Sequence, residues 1–139
     1  MEREIKFRGK SAGVWYSGHF FAYRNTGGGT GAHFIVLQEK EDENLKPIQV
    51  MPETVGQFTG LHDKNGKEIY EGDIVRFNQK FLIENILLVG YEYSHRGGFS
   101  LCTKEGYYGM FGDAWLEPFY CEVIGNIYDN PELLKGGKQ

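Results

Sequence analysis

Apolar and polar residues alternate over short stretches of this chain, broken at short intervals by glycine and other turn formers. Period-two stretches of this kind predict β-strands with one face turned inward. Residues 5–8 alternate apolar and charged side chains and predict an edge strand. Residues 14–23 carry Trp15, Tyr16, Phe20, Phe21 and Tyr23 and predict a second strand after the turn Ser11-Ala12-Gly13. Residues 33–37 predict a third, folded back on the second across the glycine loop 25–31. Residues 38–46 are a charged run without apolar period, expected as a solvated loop, and Ile48-Gln49-Val50 resumes extended structure.

The stretch 52–77 is the richest in turn signals. Pro52 to start and Gly56 to end it suit a single helical or 3₁₀ turn. Residues 57–61 and 68–70 predict two strands around Asn65-Gly66, a strong short hairpin signal. Glu71-Gly72 turns the chain into a strand over 73–77, with Val75 and Phe77 on one side and Ile74 and Arg76 on the other. The long apolar run 81–93 is open to helix or strand, and its β-branched, aromatic and glycine content favours strand. Residues 99–103 and 120–128 predict further strands, 104–112 a loop rich in Gly and Tyr. Asn130-Pro131 opens a short C-terminal helical turn.

Eight or nine short strands at such spacing suggest a sandwich or barrel. The expected fold is mostly β: an N-terminal β-hairpin unit over residues 1–47 and a small Src-homology-3-like β-barrel over 48–139, the two forming one compact unit. Gly72-Asp73-Ile74-Val75 is similar to the turn and strand that open many such barrels. Composition supports this. Glycine makes up 20 of 139 residues, about twice the usual ~7 %, with no G-X-Y period, so it serves turns and bulges.

The residues of 52–61 (Pro-Glu-Thr-Val-Gly-Gln-Phe-Thr-Gly-Leu) and of 63–75 (Asp-Lys-Asn-Gly-Lys-Glu-Ile-Tyr-Glu-Gly-Asp-Ile-Val) closely resemble the YopX family. So do 121–128 with Asn130-Pro131-Glu132-Leu133-Leu134, and the opening Ile5-Lys6-Phe7-Arg8-Gly9-Lys10 followed by Trp15 and Gly18. Residues 78–118 match least. The resemblance implies a mostly β fold and a phage or prophage origin, and it implies no known activity.

Candidate chemistry is sparse. The glycine loop 27–31 is followed by strand-forming residues, where a phosphate cradle needs a helix. His19, His33, His62 and His95 stand far apart, Cys102 and Cys121 form no ligand spacing and are expected as buried free thiols on strands, and no metal or cofactor is expected. Glu68, Glu71 and Asp73 flank tight turns, where carboxylates commonly cap backbone amides. No Ser or Cys sits in a nucleophile motif, and no catalytic residue is assigned. Net charge is −4 and no apolar stretch reaches the ~20 residues of a membrane helix, so the host cytoplasm is the expected location.

The leading expectation is an accessory protein that acts by binding, to a protein or to itself. Trp15, Tyr16, Phe20 and Phe21 exceed what one hairpin face buries and are candidates for self-association, with Trp15 and Phe21 on one face and Tyr16 and Phe20 on the other. The alternative is a nucleic-acid-binding surface of Arg76, Lys80, His95 and Arg96 with Tyr107 and Tyr108. An enzyme built from scattered residues is the third reading.

Overall fold

The computed structural model describes residues 4–23, 31–37, 46–78, 85–92, 98–113 and 116–135. They form eleven strands, two 3₁₀ turns and one short helix, divided between two units, residues 1–58 and 59–139.

In the first unit β1 (Phe7–Ser11), β2 (Val14–Tyr23), β3 (Ala32–Leu37) and β4 (Lys46–Val50) run antiparallel in the order β4-β3-β2-β1. A two-residue turn, positive in φ at both Ala12 and Gly13, joins β1 to β2 and sets Lys10 opposite Trp15. On its other side β1 pairs with β5 (Gly56–His62), through Phe7↔Gln57 and Arg8↔Gly56. The expected edge strand is therefore an interior one. Its alternating charges do not mark a solvent edge: Arg8 and Lys10 lay their cations over the Trp15 ring. The 3₁₀ turn Pro52–Thr54 clasps β1. Met51 N donates to Lys10 O, and Lys10 N donates to the buried Thr54 Oγ1, which itself donates to Met51 O.

In the second unit the later half of β5 has β6 (Glu68–Tyr70) beside it, across the turn 63–67. That turn is not the two-residue type that Asn-Gly suggests. Gly66 alone is positive in φ, and Gly66 N to Asp63 O with Asp63 N to Lys67 O close a longer loop with a glycine bulge. β7 (Asp73–Phe77), β8 (Ile86–Glu92), β9 (Gly98–Thr103), β10 (Gly106–Met110) and β11 (Cys121–Asn126) form an antiparallel sheet in the order β10-β9-β8-β7-β11, and α1 (Glu132–Lys135) follows. Strand is thus the form of the apolar run over 86–92, and 81–84 and 93 lie outside the described residues. The expected loop 104–112 contains β10. Gly106 and Gly109 interrupt its alternation, and a bulge between Tyr107 and Gly109 shifts its register.

The expected barrel is not formed; the sheets stay open. Closure would need another strand along β11, and there the turn takes the backbone groups instead: Val123 N donates to Asp63 Oδ2 at 2.9 Å and Lys64 N donates to Cys121 O at 2.9 Å. Ile69, Val75, Phe77, Leu87, Val89, Leu101, Leu116 and Cys121 make the core of this unit, with Leu61, Tyr108, Phe111 and Val123 packed against it. Burial of each large apolar side chain contributes about 1.5–3 kcal/mol. Among the described residues no helix is long and apolar enough to cross a membrane.

Candidate functional site

Among the described residues of the first unit few apolar side chains are buried, Ile35, Val50 and Phe58, yet its strands are dense in aromatics. Strand alternation sorts them onto two faces. On the inner face Phe20 pairs with Ile35, Tyr16 with Gly9, and Val50 with His33. Phe7 and Phe20 lie 5.4 Å apart between ring centroids, and Phe20 stacks on His33 at 5.7 Å.

The other face is open. Its cross-strand pairs are Lys10↔Trp15, Arg8↔Ser17, His19↔Val36 and Phe21↔Phe34. The Arg8 guanidinium lies 4.7 Å from the Trp15 ring centroid and the Lys10 ammonium 5.8 Å, close enough for cation–π attraction. Phe21 and Phe34 stack at 5.1 Å with their planes only 15° apart. Phe21 is 46 % exposed and Tyr23, next along the same face of β2, is 58 % exposed. Six residues of strand separate Trp15 from Phe21, ~20 Å at the usual rise. A shallow open cleft of about 380 Å³, lined by Glu4, Ile5, Lys6, Ser17, Gly18 and His19, adjoins this face through Ser17 and His19. The strands β1 to β4 carry Arg8, Lys10 and Lys46 and no Asp or Glu. The charged strand positions of the open face are Arg8 and Lys10.

The four aromatics proposed from the sequence divide between the faces as alternation predicts: Trp15 and Phe21 lie on the open face, Tyr16 and Phe20 on the inner one. Of the second candidate surface, Lys80, His95 and Arg96 lie outside the described residues. Arg76 sits 3.5 Å from Glu122, which also holds Lys64 at 3.3 Å. Tyr107 is 39 % exposed, whereas Tyr108 packs on the core. Register places Arg76 and Tyr107 on one face of the sheet, three strands apart. The glycine loop 25–30 and His95 also fall outside the described residues, and among those described no group of three His, Cys, Asp or Glu could hold a metal ion.

Sequence reading missed Arg8, Lys10, Tyr23 and Phe34 as site residues. A usable signal existed for the first two. They stand two apart on one strand, and a two-residue turn at Ala12-Gly13 puts Lys10 directly against Trp15.

The turn-rich stretch has another role. Asp63 Oδ1 accepts from Asn65 N and Lys67 N, Asp73 Oδ2 accepts from Tyr70 N, and Asn126 Oδ1 accepts from Tyr128 N and Asp129 N. Glu68 Oε1 accepts from the Tyr70 hydroxyl. Burial pushes the Asp63 carboxyl up, but hydrogen bonds from Val123, Lys67 and Asn65 outweigh it and hold the group below the usual carboxylate range.

These features define an antiparallel all-β protein of two units, one of which presents an open aromatic sheet face bearing cations. The chain belongs to the YopX family, whose model, described as YopX protein, matches residues 7–135. Among solved structures it is similar to one described as the crystal structure of protein EF1440 from Enterococcus faecalis. The two share 22 % identity over 96 % of this chain and 99 % of that one, with a TM-score of 0.53, a likeness of fold. No curated protein matches the chain.

Proposed function

We propose that this chain is a phage or prophage accessory protein that acts by binding rather than by catalysis, with the open face of the β1–β4 sheet as its working surface. The observation that carries this is the stacked Phe21–Phe34 pair, its outer ring exposed beside the more exposed Tyr23. Large aromatics left open together on a flat sheet are a surface that gains from being covered. The polar residues that stand out in the sequence support the same reading. Asp63, Asp73 and Asn126 hold backbone N–H groups, so they serve folding. The phage or prophage origin and the setting in a bacterial host cytoplasm rest on the family.

The test is affinity capture from cells producing tagged protein. The double variant Phe21→Ala/Tyr23→Ala should lose what the wild type retains. Phe119→Ala, 59 % exposed in the other unit, should keep it. Equal retention by the double variant would show the surface to be wrong.

A further inference from the structure

We propose that the partner is a second copy of this chain, which lays its own β2 alongside the far half of this β2 and joins the two sheets edge to edge about a twofold axis at Phe21. The inference rests on the preceding reading of Phe21 and Tyr23 as part of the working surface and adds the identity of the partner.

The sheet is notched beside β2. That strand has ten residues, but β1 pairs only with Val14 to Gly18, and β3 pairs with His19 to Tyr23 on the other side. Residues 4–6, which would carry β1 on past Gly18, form no ladder with β2; Lys6 O accepts from Phe58 N of β5 instead. The open cleft lies between these residues and 17–19. Backbone direction in the notch follows from β1. Lys10 N donates to Thr54 Oγ1 and Lys10 O accepts from Met51 N, so Lys10 turns its backbone away from β2, and Phe7, Gly9 and Ser11 turn theirs toward it. Their partners Gly18, Tyr16 and Val14 face β1 in return, and alternation then aims the N–H and C=O of Phe20 and Ala22 into the notch. Among the described residues no strand lies there to take them. Phe21, Ala22 and Tyr23 are exposed in succession, whichever face their side chains are on. An open strand edge of this kind is a template for another strand.

The edge suits itself. Other edges are guarded: that of β4 carries Lys46 and Pro47, and that of β11 is covered by the turn at Asp63 and Lys64. Residues 14–23 contain no Asp, Glu, Lys, Arg or Pro, so two copies meet along β2 with no like charges opposed. Antiparallel pairing with Phe21 opposite Phe21 sets Phe20 of each copy opposite Ala22 of the other, and each such pair exchanges both backbone hydrogen bonds. On the inner face a large side chain then meets a small one. On the open face the two Phe21 rings stand side by side, each stacked on its own Phe34 at 5.1 Å, and the aromatic row runs on from sheet to sheet. The same register brings Tyr23 of the second copy beside His19, at the cleft of about 380 Å³, where its exposed ring is covered. The contact is small. Two half-exposed rings per copy, at roughly 150–250 Å² for a whole aromatic side chain, fall short of the ~1,200 Å² of a stable interface, so the dimer is a weak one.

Sedimentation of the full chain from about 1 to 500 µM, the range in which so small an interface associates, tests this. The wild type should pass from monomer to dimer and stop there, since a twofold contact closes on itself. Phe21→Ala/Tyr23→Ala should weaken association about tenfold or more, because the rings supply most of the area covered. Ala22→Pro should abolish it by removing the N–H that the second copy uses. Circular dichroism should show Ala22→Pro folded, since that N–H points away from β3. Phe119→Ala, in the other unit, should associate as the wild type does. A Cys102→Ser background, with Cys121 fully buried, reads the register directly. There Phe21→Cys should form an intermolecular disulfide on oxidation, because the two positions 21 make a non-hydrogen-bonded pair with Cα atoms ~4.5 Å apart. Tyr23→Cys should not, because its two positions lie on opposite sides of the axis. A wild type that stays monomeric overturns the proposal, as does wild-type association by Ala22→Pro. Equal cross-linking at positions 21 and 23 overturns it too, and this comparison decides where Ala22→Pro does not fold. If the chain stays monomeric while Phe21→Ala/Tyr23→Ala still loses a captured protein of another kind, the partner is wrong and the face stands. If the double variant loses nothing in either assay, the face itself is wrong.

Discussion

Asp63 Oδ2 accepts a hydrogen bond from Val123 N at 2.9 Å, across sixty positions of sequence. The other carboxylate oxygen accepts from Asn65 N and Lys67 N at 2.8 and 2.9 Å. One buried side chain therefore shapes the turn between β5 and β6 and fastens it to β11. Removing it strands three backbone donors. Asp63→Ala should lower unfolding free energy by about 2–4 kcal/mol, with Asp63→Asn less damaging because one acceptor oxygen remains. Urea denaturation of the three proteins checks the order.

The same carboxylate makes stability depend on acid. Its folded pKa lies below the ordinary value, because the three N–H groups favour the charged form over the opposing effect of burial. The contribution is therefore complete above the unfolded pKa, near 4, and is lost as pH falls through the folded value. Wild type should lose stability steadily below about pH 4, and Asp63→Ala should lose less over the same range. Parallel curves for the two proteins in thermal melts at stepped pH would refute this.

How far the sequence anticipates these features depends on whether they leave a period. The division of Trp15 and Phe21 from Tyr16 and Phe20 is legible because alternation in β2 runs without a bulge. So is the turn after β6, where Glu71 and Gly72 precede Asp73. β10 is not, since Gly106 and Gly109 leave no side chains to alternate and the bulge breaks what remains. The open sheet is not either. It depends on Asp63 and Lys64 meeting Val123 and Cys121, contacts between a turn and a distant strand that carry no local pattern. The candidate face was half legible: its aromatics stood out in β2, but its cations sit on a strand read as a solvent edge.

The two thiols should behave differently. Cys121 is fully buried, and burial, with the carboxylates of Asp63 and Asp73 adding to it, pushes its thiol up to about 12. Cys102, expected to be buried as well, is only partly so, with its Sγ 3.5 Å from Ser100 Oγ. Native protein should release one equivalent of thiol to an aromatic disulfide reagent, and the second only on unfolding. A raised folded pKa stabilises below the unfolded thiol pKa, near 8.5, and that stability is lost as pH rises toward the folded value. Cys121→Ser should therefore flatten part of the alkaline decline.

Gly72 links three strands of the second unit. Its N–H donates to Val89 O and its carbonyl accepts from Ile127 N, with φ at +91°. A Cβ there would meet Tyr128 Cε2 at 2.9 Å. Gly72→Ala should destabilise by about 1–3 kcal/mol, from backbone strain and from the displaced ring. Combining it with Tyr128→Ala separates the two causes: the clash vanishes in that background while the strain persists, so the double variant should lose less than the sum. Strict additivity would assign the whole effect to the backbone.

The turn between β1 and β2 holds strain that can be released. Ser11 pairs with Val14, so Ala12 and Gly13 are the whole loop, and both must take positive φ, +48° and +81°. The left-handed region costs an L residue about 1–2 kcal/mol, and alanine has no polar side chain to offset it. Asparagine tolerates this conformation, and Asn-Gly is the pair favoured in such turns. Ala12→Asn should stabilise the chain by about 0.5–1 kcal/mol, and Ala12→Val should destabilise it by more than about 1 kcal/mol, because β-branching is least compatible with positive φ. The register Lys10↔Trp15 depends on the length of this loop and not on the identity of residue 12. Ala12→Asn should therefore raise the urea midpoint while leaving retention of the captured partner unchanged. A gain in stability accompanied by loss of binding would mean that the turn residue itself, and not only the register it sets, touches the partner.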